Sequence, residues 1–72
     1  MKPHVITLYN PGAVRVYIFR GVGFPNVAVV NSLPLATTVS TMTEADARAA
    51  VDADLANGFS LVSSTPLSPF NL

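Results

Sequence analysis

Residues 4–9 and 13–19 each alternate their side chains between two sets and are rich in Val, Ile, Tyr and Phe, which favour a pleated sheet. Between them, Asn10-Pro11-Gly12 sets Pro and Gly as a type II turn would, so the pattern predicts a β-hairpin. Closed with Asn10 opposite Ala13, the hairpin gathers Val5, Thr7, Tyr9, Val14, Val16 and Ile18 on one face. The other face collects His4, Ile6, Leu8, Arg15, Tyr17 and Phe19. Both faces are apolar, and a slipped register would leave each strand with two apolar sets all the same. A sheet wetted on one side shows a polar alternate face, so this hairpin predicts cover on both sides.

A loop at 21–25 follows, then a short β-branched strand at 27–30 that Asn31, Ser32 and Pro34 are expected to end. The Thr-Thr-Val-Ser-Thr run within 35–42 suits an edge strand or an extended connection equally well. Thr43 then has the character of a helix N-cap, with Glu44 and Asp46 placed in the first turn where their charge complements the helix dipole. The predicted helix, about 44–57, has a narrow apolar stripe of Ala47, Ala50, Val51 and Leu55, and Gly58 closes it at the C′ position. A last strand is expected at 59–63. The fold class is therefore α+β: a small, mostly antiparallel sheet of three to five strands with one helix packed on one face. Residues 1–63 form the single domain. Residues 64–72 form an extended C-terminal arm, because Pro66 and Pro69 exclude a helix or a central strand there.

With 72 residues, the chain can bury only about 60% of the surface its unfolded form exposes. Half of its residues are hydrophobic and 11% are charged, against about 25% charged in an ordinary soluble domain. One helix covers one sheet face. The second is closed either by the chain's own 33–42 segment or arm, or by a neighbouring subunit centred on Tyr17, Phe19 and Phe24, aromatics of the type enriched in interface cores. In the arm, Leu67, Phe70 and Leu72 are large apolar side chains that call for a docking groove. These six residues are the candidate protein interface.

Four Lys and Arg balance four Asp and Glu, so the formal net charge is zero and no basic cluster exists to neutralise phosphates. Nucleic acid is not an expected partner. The most apolar stretch, 13–36, is cut by Arg15, Arg20, Pro25, Asn26, Asn31 and Pro34, far short of the ~20 uninterrupted apolar residues that span a bilayer. No export signal is legible at the start, so synthesis in the cytosol without a membrane partner is expected. Cysteine is absent, which removes disulfides and thiolate chemistry and leaves packing and oligomerisation as sources of stability.

Chemical motifs are faint. His4 is the one histidine, without the G-x-S-x-G elbow of a hydrolase or the second ligand a zinc site requires. The segment from Asp52 to Gly58 departs from a calcium loop, since its Gly is seventh, Asn57 breaks the alternation and no closing acid follows. It reads as the polar outer face of the helix, with Arg48 one turn from both Glu44 and Asp52. Gly21-Val22-Gly23 lacks the third glycine and the helix of a phosphate loop. No catalytic residue, cofactor, metal or small-molecule ligand is expected. The partners expected are other protein subunits, as a homo-oligomer or on a major shell protein. In size, low charge and apolar arm, the chain resembles small virion accessory proteins that decorate or cement a capsid, a compositional likeness without a shared motif. The alternative is a small soluble inhibitor or adaptor that binds one target protein through an apolar sheet face.

Overall fold

The structure, a computed structural model, describes residues 4–21 and 26–66. In chain order the elements are β1 (His4–Asn10), β2 (Ala13–Phe19), β3 (Asn26–Leu33), β4 (Ala36–Thr43), α1 (Glu44–Ala56) and β5 (Ser60–Pro66). The strands make one antiparallel sheet in the order β4-β3-β2-β1-β5. The α+β class and the single helix on one face are as the patterning predicts.

The first hairpin closes with Asn10 opposite Ala13 and Leu8 opposite Arg15, the register that the turn implies. Its turn is not type II: Gly12 lacks the positive φ that this type demands of its third residue. Instead the Asn10 side chain organises the turn, its Oδ1 accepting the Gly12 N–H at 2.7 Å. β3 runs past Asn31 and Ser32, where an end was expected, because β2 and β4 flank it and supply ladder partners to both residues. The ambiguous threonine-rich run becomes β4, an edge strand in unbroken register with β3 from Asn26↔Thr43 to Leu33↔Ala36.

α1 starts without a loop. Thr43 Oγ1 accepts the Asp46 N–H at 3.2 Å, and Glu44 and Asp46 occupy the first turn. At about 1.5 Å per residue its 13 residues span ~20 Å. Four gaps between five strands, at about 4.8 Å each, give much the same width. The helix can thus carry the chain from one edge of the sheet, at β4, to the other, at β5. Gly58 ends it with φ +97°, and a β-carbon added there would meet nothing within 4 Å. Gly58→Ala therefore incurs backbone strain without any steric clash. It is expected to lower stability by about 1–2 kcal/mol in urea unfolding.

β5 pairs with β1 and reaches Pro66, so Ser64 to Pro66, expected to open the arm, belong to the sheet. They fit because Pro66 ends an edge strand, where a missing N–H is tolerated. Leu67, Phe70 and Leu72 of the predicted arm, and Phe24 of the 21–25 loop, lie outside the described residues.

The core lies between α1 and one sheet face: Leu8, Tyr17, Phe19, Val27, Val29, Ala47 and Phe59 are buried there. Ile6, Ala13, Met42, Ala50 and Val51 pack around them. No helix among the described residues is long and apolar enough to cross a membrane.

Candidate functional site

Tyr17 and Phe19 were expected at the centre of an intersubunit contact, and the fold places them elsewhere. Their residues are 2% and 4% exposed, beneath the chain's own helix. The reason is parity. Arg15, Tyr17 and Phe19 share the face to which Asp54 binds, so the helix takes that face and the alternate one is left over.

Across β1 to β4, that alternate face is built from three rows. Val5, Ile18, Ala28 and Thr41 form one, Thr7, Val16, Val30 and Val39 the next, and Tyr9, Val14, Ser32 and Thr37 the third. None of these residues belongs to the cluster under α1, and no described element lies over them. Val39 is 70% exposed and Tyr9 49%. The centre is valine and isoleucine, the β4 margin is Thr37 and Thr41 on either side of Val39, and none of the twelve carries a charge. Apolar centre and polar rim are the anatomy of a protein contact.

On the covered face, one polar cluster is buried. Asp54 is 6% exposed; its Oδ2 accepts the Tyr17 hydroxyl at 2.6 Å and its Oδ1 accepts Arg15 Nη1 at 2.5 Å. Arg15 also donates from Nε to Asn31 Oδ1 at 3.3 Å and lies 4.6 Å from the centre of the Phe59 ring. Asp54, expected on the outer face of the helix, is instead the inward residue at its C-terminal end. Leu55, expected in the apolar stripe, is 43% exposed. Ala47, Ala50, Val51 and Asp54 follow the i, i+3, i+4, i+7 spacing of one helix face, and Arg15 supplies the charge that makes an inward carboxylate tolerable. A signal for this pairing did exist: Arg15 alternates with Ala13 and Tyr17 on an apolar face, which requires an acid opposite.

Burial first, and then the hydrogen bond to the Asp54 carboxylate, push the Tyr17 phenol up from 10.0 to about 12. The cluster opens onto a recess of about 330 Å³ between α1 and β4, where Thr38 and Ser40 line the sheet side and Ala50 and Ala53 the helix side. His4, on β1, shares a 2.6 Å hydrogen bond with Ser64 of the edge strand β5. Arg48 pairs with Glu44 at 2.8 Å on the outer face of the helix and passes 5.7 Å from the Phe19 ring centre. Among the described residues, no group of three His, Cys, Asp or Glu side chains converges as a metal site would require.

Comparison with protein-family models, curated proteins and solved structures finds no match to this chain.

Proposed function

We propose that this chain is a non-catalytic structural subunit of a large protein assembly, and that it docks on other protein subunits through the sheet face opposite its helix. The observation that carries the proposal is the uncharged Val5-Val14-Val16-Ile18-Val30 centre on a face over which no described element lies. Apolar area left to water costs about 25 cal/mol per Å², and a second surface laid on this face recovers it. The Arg15–Asp54–Tyr17 cluster supports the same reading. Its polar atoms satisfy one another and tie helix to sheet, which is a structural use of charge. Zero net charge and the absence of charge from the docking face remove the repulsion that keeps most small proteins apart.

Within this reading a viral or phage particle is the assembly of choice, with the chain as a capsid decoration, cement or minor protein and Leu67, Phe70 and Leu72 anchoring its end to a neighbour. The test follows the full-length chain through gradient sedimentation of particles from the cells that make it. The wild-type chain is expected to travel with a large particle. Val16→Asp is expected to remain at the top of the gradient while keeping its circular dichroism. The milder pair Val16→Thr with Val30→Thr, which keeps the β-branched shape, should give an intermediate distribution. Wild-type protein found only among small proteins would refute the assembly, and full incorporation of Val16→Asp would refute the face.

A further inference from the structure

The two edges of the sheet are unlike. β5 carries a register shift opposite Thr7 and Leu8 and ends at Pro66, two of the devices by which natural sheets block pairing with another chain. β4 has neither. Its eight residues, Ala-Thr-Thr-Val-Ser-Thr-Met-Thr, hold unbroken register with β3 and include no charge and no proline. All but Met42 are exposed. Alternate residues of an edge strand turn their N–H and C=O groups outward, so β4 offers a straight row of open donors and acceptors.

We propose that β4 is a self-pairing edge, on which a second copy of the chain adds its own β4 antiparallel about Val39. A two-fold contact sets residue i against j and j against i, so the strand that fits it best reads alike in both directions from one point. β4 does so about Val39. Thr38 and Ser40 flank it, Thr37 and Thr41 stand one step further, and Ala36 and Met42 beyond them. The resulting pairs are Val39 with Val39, Thr38 with Ser40, Thr37 with Thr41, and Ala36 with Met42. Each joins like chemistry, and cross-strand hydroxyl pairs are among those that favour a sheet.

Every pair also keeps its parity, so the covered and bare faces stay in step. Two five-stranded sheets become one of ten strands with both helices on the same side. The Val16-Val30-Val39 row then continues without interruption into its copy, which doubles the bare face available to an assembly partner. The edge contact is independent of the face contact proposed above, and either can fail alone.

Because the chain has no cysteine, one introduced thiol reports the contact directly. Directly opposite residues hold their β-carbons about 5 Å apart, close to disulfide reach. Under mild oxidation Val39→Cys is expected to link most of the chain into covalent dimers. Thr37→Cys alone should link at least tenfold more slowly, because the two equivalent positions stand four residues, ~13 Å, apart. A mixture of Thr37→Cys and Thr41→Cys should link efficiently. The wild-type chain should sediment at twice its 7.6 kDa mass. Val39→Lys, which sets two ammonium groups on the two-fold axis, should weaken that dimer at least tenfold with its circular dichroism unchanged. A wild-type monomer from micromolar to millimolar concentration would overturn the proposal, as would equal linking rates for Val39→Cys and Thr37→Cys. Val16→Asp with Val39→Cys separates the two contacts: it should still link while failing to enter the particle.

Discussion

Phe19→Ala is expected to destabilise the isolated protomer by about 3–4 kcal/mol, as removal of a buried aromatic ring from a packed core does. The ring is 4% exposed in the cluster with Leu8, Val27 and Ala47, and the Arg48 guanidinium passes over it. A domain of 72 residues has on the order of 4–11 kcal/mol of stability in total. Truncation at this one position therefore removes roughly a quarter of it or more. Urea unfolding at a concentration where the midpoint no longer depends on protein should show the loss in full. Val16→Asp, on the opposite face of the same strand, is expected to cost only about 1 kcal/mol, on the scale of sheet propensity. The ratio of the two effects tells a core face from a docking face. An equal loss from both would mean that the side chains of β2 are covered on both sides within one protomer.

Much of this architecture is legible in the sequence because its signals are local. The Asn10–Ala13 closure, the Thr43 cap and the Gly58 stop each depend on a few neighbouring residues, and each stands where the pattern sets it. The sheet face chosen by the helix was not legible. Both alternating sets on β1 and β2 are apolar, so periodicity gives no preference between them. The covered face is the one that carries Arg15, whose partner Asp54 stands 39 positions away. Hydrophobicity alone assigns Asp54 outward and Leu55 inward, and the structure inverts both. Polar residues misled at strand ends for a related reason. Asn31 and Ser32 read as terminators in isolation, yet two flanking strands hold them in the ladder, and Asn31 gains the Arg15 Nε–H as a partner. Ser64 to Pro66 likewise read as an arm until β1 is available to pair with them.

Removal of the Asp54 carboxylate is the second large effect expected. Asp54→Ala leaves the buried Tyr17 hydroxyl without its acceptor and Arg15 without its counter-charge. Hydrogen bonds to a charged group contribute about 1.5–3 kcal/mol each. The Arg15 side chain is 32% exposed, so water takes over part of its loss. A net cost of about 2–3 kcal/mol in urea unfolding follows. The same contact makes stability depend on alkaline pH, and the sign is fixed by the direction of the Tyr17 shift. Raised from 10.0 to about 12, the phenol keeps its proton in the folded chain after the unfolded chain has released it. Below pH 10 both states hold that proton and the contribution is intact. Between pH 10 and 12 the unfolded state binds fewer protons, so stability falls, by at most about 1.4 kcal/mol per pH unit. Tyr17→Phe should abolish this decline while lowering stability at neutral pH by about 1.5–2 kcal/mol, since the lost bond is to a carboxylate. Asp54→Asn should flatten the decline only in part, because burial, the larger cause of the shift, persists without the carboxylate charge. Phenolate absorbance measured against pH reads the same quantity in the folded chain, and ionisation of Tyr17 near its ordinary value would show that the helix does not hold Asp54 against the sheet.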